Sequence, residues 1–214
     1  MTDRTGTEWF EPLYDAAAGD EDAVPWARGE PSPLLLAWLG QPGLEVDGSD
    51  ALVIGCGLGD DAAELARRGC RTTAFDVSPT AVAWAQQRFA DLDVSGTLEF
   101  RTADLLDLPS DLVASAGLVV EVRTVQSLSE DVREAAIRAV ASTVAPGGLL
   151  VHIGLVATNP RAAQTWDGPP WALSPDELAI YEDEGLERVA LAHPPDADGD
   201  AMEVVLTLQR AADD

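Results

Sequence analysis

The chain contains no lysine. Its 13 basic residues are all arginine, and they face 38 acids, for a formal net charge of −25. Nucleic-acid binding rests on a stripe of basic side chains set against phosphates. No such stripe occurs here, which argues against DNA, RNA and anionic membranes as partners. A charge of this size otherwise serves solubility and names no partner. Cysteine is scarce as well. Cys56 and Cys70 are too few and too close in sequence for a disulfide framework, and they read as reduced thiols of a cytoplasmic protein. The two histidines, His152 and His193, lack the paired cysteine or carboxylate spacing of a metal site. His152, inside the apolar run LLVHIGLV, reads as a satisfied buried histidine. No apolar run reaches 18 residues, so no membrane span is expected. The opening MTDRTGTEWFEPLYD has neither the basic start nor the apolar core of a signal peptide. With no repeats and no long linker, 214 residues suit one large α/β domain.

What the chain does have is concentrated in residues 51–76, ALVIGCGLGDDAAELARRGCRTTAFD. An apolar run ends in Gly55-Cys56-Gly57-Leu58-Gly59. A helical pattern follows, then a second apolar run that closes on Asp76. This is the order of a nucleotide-binding βαβ unit. The glycines permit positive φ and let a ligand lie on bare backbone. Asp76 lies 21 residues beyond Gly55, where a carboxylate accepts both hydroxyls of a ribose. A dinucleotide site wants a third glycine at position 60 and a helix N-terminus open to pyrophosphate. Positions 60 and 61 are instead Asp60 and Asp61. Two carboxylates suit the helix dipole, repel a pyrophosphate and favour a cation. S-adenosyl-L-methionine (SAM) carries a sulfonium and an ammonium and no phosphate. The motif therefore favours SAM over NAD or FAD. Cys56 reads as a small residue of the turn and not as a catalytic thiol.

Periodicity places strands at 51–54, 71–75, 97–101, 117–122 and 148–155, with helices at 60–68, 79–90 and 130–144. Ser78-Pro79 is a cap and first-turn pair. Pro146-Gly147-Gly148 is expected to stop the third of these helices before the fifth strand. Before the alternation come a helix candidate with Trp9, Phe10, Leu13 and Tyr14 on one face, a Pro/Gly-rich loop at 24–33 and a short buried helix from residue 34 to 39 that holds Trp38. After it, Ser174 and Glu177 form a capping box opening a helix to about residue 183, followed by strands at 186–193 and 202–209. The expected fold is a doubly wound, mostly parallel seven-stranded sheet with an antiparallel C-terminal hairpin, a Rossmann-like arrangement. We divide the single domain into an N-terminal helical cap (1–45), a SAM-binding core (46–155), and a substrate loop with the C-terminal hairpin (156–214). Trp166 and Trp171, in the proline-rich stretch 158–173, are candidates for an aromatic wall around a planar substrate.

Two motifs together carry a family resemblance. ALVIGCGLG with Asp76 is generic to class I SAM-dependent methyltransferases. Pro25-Trp26-Ala27-Arg28-Gly29-Glu30-Pro31-Ser32-Pro33 resembles the PWDxGxPxP segment of the thiopurine methyltransferase-like group, whose members methylate thiols, halides and small phenols. The likeness spans about residues 9–155. It implies that Trp26 covers the cofactor from the N-terminal side. Gly55, Gly57 and Gly59 would face its methionine and ribose portions, Asp76 would bind the ribose hydroxyls, and Val77 would flank the adenine. Asp104 would accept from the adenine amino group, with Leu105 beside it. Glu121 and Arg123 would sit where the methyl group is presented. The chain departs from the family at two places. Val53 stands where an acid is usual two places before the first glycine, leaving Asp60 or Asp61 to hold the methionine end. Ala27 replaces the Asp of PWD, which weakens a direct match to the halide and thiol enzymes.

Methyl transfer from a sulfonium is an in-line displacement with a neutral thioether leaving group, so no general acid is needed. The enzyme contributes alignment, and a base only where the nucleophile is protonated at working pH. The segment after the fourth strand, EVRTVQSL, lacks the Asn/Asp-Pro-Pro-aromatic run common in enzymes that methylate planar nitrogens. Glu121, Arg123 and Gln126 are the candidates for contact with substrate or cofactor. The expected function is methyl transfer from SAM to a small molecule at a thiol or hydroxyl, with Glu121 and Arg123 as catalytic candidates. An NAD(P)-dependent oxidoreductase and a non-catalytic SAM-binding protein stay open as alternatives. The oligomeric state is not readable from these residues.

Overall fold

In the computed structural model, residues 6–157, 169–193 and 201–213 are described. Seven strands form one sheet: β1 (Asp50–Ile54), β2 (Arg71–Asp76), β3 (Thr97–Thr102), β4 (Ala116–Val122), β5 (Val144–Ala157), β6 (Leu186–Ala192) and β7 (Ala201–Arg210). Their order is β3-β2-β1-β4-β5-β7-β6. All neighbours pair in parallel except β7, which runs antiparallel to β5 and β6. The order reverses beside β1, between the β1–β2 and β1–β4 pairs. Open α/β sheets bind ligands in that crevice, beyond the carboxyl ends of the strands.

The sheet is covered on both faces, as its near-continuous apolar strands require. Alternate residues of one strand enter different layers. Leu52 and Ile54 pack with Val119, Leu150 and Leu206 beneath α5 (Glu130–Thr143) and α6 (Pro175–Asp183). Ala51 and Val53 pack with Leu118, Val120 and Val151 beneath α2 (Pro33–Leu39), α3 (Asp60–Arg67) and α4 (Pro79–Arg88). Trp38 is a core side chain, and its indole N–H donates to Thr207 Oγ1 at 2.9 Å, tying α2 to β7. A third cluster, with Tyr14 and Ala17 of α1 (Phe10–Ala17), Leu58 and Ala81, sits over the crevice. No helix among the described residues is long and apolar enough to cross a membrane.

The local signals act as the sequence predicts. The Ser78 hydroxyl accepts from the Ala81 amide at 3.0 Å to cap α4. Ser174 and Glu177 form both halves of a capping box. Pro146-Gly147-Gly148 behaves differently from expectation. α5 already ends at Thr143, and the three residues are absorbed into β5 as an irregularity in its register with β4. A Cβ at Gly148 would lie 2.8 Å from the Ala145 carbonyl oxygen and 3.0 Å from that of Ala116, so only glycine lets these backbones approach. A break in helix pattern was thus the start of a bulged strand.

Candidate active site

The turn after β1 is the centre of the site. Gly55, Gly57 and Gly59 all have positive φ, at 62°, 51° and 89°, yet they meet different neighbours. A Cβ at Gly55 would lie 2.3 Å from Thr124 Oγ1. One at Gly57 would meet the Tyr14 hydroxyl at 3.1 Å. One at Gly59 would lie 2.7 Å from ring carbons of Phe100 and 3.1 Å from the Ala85 methyl. Gly59 therefore does not face the ligand cavity, contrary to expectation. It is the point where α3 and α4 close down on the sheet, the role of a third glycine in such turns.

Beside the turn lies a cavity of about 390 Å³, within the range of small-ligand pockets. Gly55, Gly57, Asp76, Val77 and Leu105 line one side. Trp9, Phe10, Tyr14 and Trp26 cover it. Arg123, Ser127, Leu128, Pro169, Pro170 and Glu203 stand at the β4–β5 end. The cover is an aromatic assembly. Trp9 and Phe10 stack at 4.1 Å, and Trp26 meets both edge-on. The Trp26 indole N–H donates to the Tyr14 hydroxyl at 2.7 Å. Glu11 straps α1 to the head of α4, accepting from Ser78 Oγ at 2.5 Å, Thr80 Oγ1 at 2.7 Å and the Thr80 amide at 3.2 Å. Partial burial raises the Glu11 pKa, but these hydrogen bonds outweigh it and leave the group below its ordinary value. Among the covering residues, Tyr14 and Phe10 were visible in the sequence only as a helix face. Burial pushes the Tyr14 phenol far above its usual range, with the Asp76 charge adding to the effect.

Asp76 ends β2 and turns inward. Its Oδ2 accepts from the Gly57 amide and its Oδ1 from the Ser78 amide, both at 2.9 Å. The carboxylate thus sets the turn as well as lining the cavity. Burial raises its pKa against the pull of these amides. With three backbone amides (Gly57, Val77 and Ser78) acting on it, the carboxylate still has acceptor capacity for a ligand hydroxyl. Burial likewise drives the Cys56 thiol well above its ordinary pKa, with Asp76 contributing, so Cys56 is a poor nucleophile.

Two further predicted site residues, Glu121 and Asp104, lie elsewhere than the resemblance implied. Glu121 is fully buried. Its Oε1 accepts from the amides of Thr124 at 2.5 Å and Val125 at 3.0 Å, and its Oε2 is bonded to His152 Nδ1. A carboxylate so enclosed cannot touch a substrate. Its product is the loop at 123–127, which holds Thr124 against Gly55 and donates the Thr124 hydroxyl to the Ile54 carbonyl at 2.9 Å. Arg123 does line the cavity, with φ at 57° and its guanidinium paired with Glu203. Arg123 and Glu121, two residues apart, do not pair with each other. Asp104 stands outside the cavity wall. Its Oδ1 accepts from the Leu106 amide at 2.8 Å and its Oδ2 from the Thr7 hydroxyl at 3.3 Å, so the carboxylate caps a turn instead. Gln126 is buried too, bridging the Leu155 and Trp171 carbonyls and receiving the Leu155 amide. His152 is buried as expected, but its Nε2 has no hydrogen-bond partner among the described residues. Trp171 stacks beneath the Arg133 guanidinium at 5.6 Å, and Trp166 lies outside the described residues. The sequence offered no signal for Thr124, Ser127, Pro169, Pro170 or Glu203, which arrive from three distant segments.

The cavity matches the chemistry of an adenosyl sulfonium: a carboxylate at the tip of β2, apolar Val77 and Leu105 beyond it, and no basic cradle on the glycine amides. Residues 51–148 match the family model described as a methyltransferase domain. The chain has the Rossmann-like fold of class I methyltransferases. Solved structures show the same fold across most of the chain. The magnesium protoporphyrin IX methyltransferase from Synechocystis PCC 6803 with bound SAH is 17% identical, covering 96% of this chain and 99% of that one with a TM-score of 0.71. The 4+2 cyclase SpnF is 17% identical, with coverage of 98% and 97% and a TM-score of 0.75. The geranyl diphosphate C-methyltransferase from Streptomyces coelicolor A3(2) is 18% identical, with coverage of 83% and 78% and a TM-score of 0.66.

Proposed function

We propose that this protein is a SAM-dependent methyltransferase that methylates a thiol or hydroxyl of a small, uncharged and largely apolar molecule. The observation that carries the reading is the β4–β5 end of the cavity. Its two charged side chains, Arg123 and Glu203, are paired with each other. Leu128, Pro169 and Pro170 supply the rest of that wall, with Phe10 above. A neutral apolar acceptor fits such a surface without leaving an unpaired charge. When bound, SAM supplies a methyl group on a positively charged sulfur. In this reading Asp76 accepts the ribose hydroxyls, Val77 and Leu105 flank the adenine, the Gly55–Gly57 backbone lies under the amino-acid portion and Trp26 closes over it.

The described lining offers no free imidazole or unpaired carboxylate at the acceptor end. Thiols and acidic hydroxyls ionise near neutral pH and need little help from a base, which is why sulfur and oxygen are favoured as the attacking atom. The finer kinship, to the thiopurine methyltransferase-like group, is supported by the Pro25–Pro33 segment, whose Trp26 and Arg28 both border the cavity. The test is transfer of labelled methyl from SAM to matched panels of thiols, phenols and primary amines. Label on thiols or phenols supports the reading. Label confined to amines, or none with any acceptor although SAM binds, refutes it.

A further inference from the structure

Where the segment containing Arg28 and Ser32 passes the head of α3, four charged side chains border the cavity: Arg28, Glu30, Asp60 and Asp61. Asp60 is already neutralised. Both its oxygens receive Arg88, at 2.8 and 3.0 Å. Asp61 is not. Its Oδ1 accepts the Ser32 amide at 2.7 Å, and its Oδ2 takes no hydrogen bond among the described residues. Arg28 lies close enough for its charge to act on Asp61, but among the described residues it forms neither an ion pair nor a hydrogen bond. Every other described arginine does at least one of these. A lone guanidinium in a chain with 38 acids is conspicuous, because a carboxylate partner is the easiest thing for it to find. Val53, meanwhile, presents only an apolar side chain to the cavity.

We propose that Arg28 and Asp61 form a two-charge clamp for the zwitterionic amino-acid end of the cofactor. The guanidinium takes the α-carboxylate, and the free Asp61 oxygen takes the α-ammonium. The inference rests on the reading of the cavity as a SAM site. The two charges of an α-amino acid hang on one carbon, so they need an anion and a cation set side by side, and this corner of the cavity offers that arrangement. The clamp moves the acid from β1, where Val53 now stands, to the first turn of α3. There the helix dipole also favours a carboxylate.

The test compares S-adenosylhomocysteine with 5′-methylthioadenosine, which shares the adenosine and thioether but lacks the amino acid. Calorimetric titration of the full chain, of Arg28→Gln and of Asp61→Asn decides the matter. Each substitution is expected to weaken S-adenosylhomocysteine by about tenfold or more, the size of a lost charge-assisted hydrogen bond, and to leave 5′-methylthioadenosine within about twofold. Equal losses for both ligands would mean that the side chains only hold the Ser32 segment in place, and the clamp would be wrong. Unchanged S-adenosylhomocysteine binding in both variants would overturn it as well, with the SAM reading intact. If neither ligand bound the folded wild type, both inferences would fall together. Arg28 is exposed and makes no contact whose loss would unfold the chain, so its variant stays informative even if Asp61→Asn is unstable.

Discussion

Gly59→Ala and Gly57→Ala separate folding from binding within one five-residue turn. At Gly59, φ is 89° and a Cβ would stand 2.7 Å from two carbons of the Phe100 ring and 3.1 Å from Ala85. An alanine in the left-handed region costs about 1–2 kcal/mol. Forcing a methyl into a packed core costs about 1–3 kcal/mol more. The loss of glycine's freedom in the unfolded chain returns about 0.4–1 kcal/mol. The net expectation is a loss of about 2–4 kcal/mol, or roughly 10 °C in Tm for a chain of this size. At Gly57 the backbone penalty is similar, but the new methyl meets the Tyr14 hydroxyl at 3.1 Å and the Trp26 indole nitrogen at an ordinary 3.9 Å, both on the cavity's cover. Its packing cost is smaller, and it occupies ligand space. Urea denaturation and S-adenosylhomocysteine titration, run on both variants, give four numbers. Gly59→Ala should lose stability and bind within about threefold of wild type where folded. Gly57→Ala should stay within about 2 kcal/mol of wild type and lose affinity by about tenfold or more. A Gly59→Ala protein as stable as wild type, or a reversed ranking of the two in binding, would refute this division of roles.

Asp76→Ala removes an acceptor of two backbone amides and the proposed ribose contact, and SAM affinity measured by calorimetry should fall about ten- to a hundredfold. Glu121→Gln keeps an oxygen for the Thr124 and Val125 amides, whereas Glu121→Ala orphans them together with His152 and should cost about 3 kcal/mol or more in urea. Stability unchanged in both variants with kcat abolished would restore Glu121 to the chemistry. Glu11→Ala unties α1 from α4 and should cost about 1–2 kcal/mol, while speeding S-adenosylhomocysteine dissociation in stopped flow. The Asp61 carboxyl is pushed up to about 6, chiefly by burial and further by Asp60 and Glu64, against the Ser32 amide and Arg28. The folded state therefore binds more protons than the unfolded one, whose aspartate titrates near 3.9, so stability falls as pH rises from about 4 to 6 and is level above. Asp61→Asn, which keeps an acceptor for Ser32, should remove that slope and gain about 1–3 kcal/mol at pH 7 relative to wild type. Parallel denaturation curves at pH 4.5 and 7 check the sign.

The fold was legible because its signals are local. Apolar runs of strand length alternate with capped helices, and the Ser78 and Ser174 caps mark their helices to the residue. The glycine turn with Asp76 was legible for the same reason. Long-range packing was not. Nothing in the letters at 55–59 says that Gly59 abuts Phe100 while Gly57 looks at Tyr14, because that depends on how α1 and β3 are brought in from either side. Glu121 misled because the end of β4 is a place where functional groups gather. Which way its side chain turns is decided by His152 on the neighbouring strand, paired with Glu121 in the parallel register. Glu203 was beyond reach because it comes from β7, a strand added last in sequence and placed beside β5 only by the antiparallel hairpin.

That placement of charge explains how so acidic a chain keeps a workable site. A net charge of −25 would burden any buried carboxylate. Around the cavity, the acids that shape the structure are spent locally: Asp60 on Arg88, Glu203 on Arg123, Asp104 and Glu121 on backbone amides. Among the described residues Asp76 and Asp61 form no ion pair, and their pKa values are raised, burial being the largest cause for each. A cationic ligand relieves both at once, since a positive charge within a few ångströms favours the ionised form. In the proposed reading the cofactor is the counter-ion of its own site. Its binding should release protons near pH 6, so the heat of titration should vary with the ionisation enthalpy of the buffer. A buffer-independent heat at that pH would mean that neither carboxylate faces the bound cation.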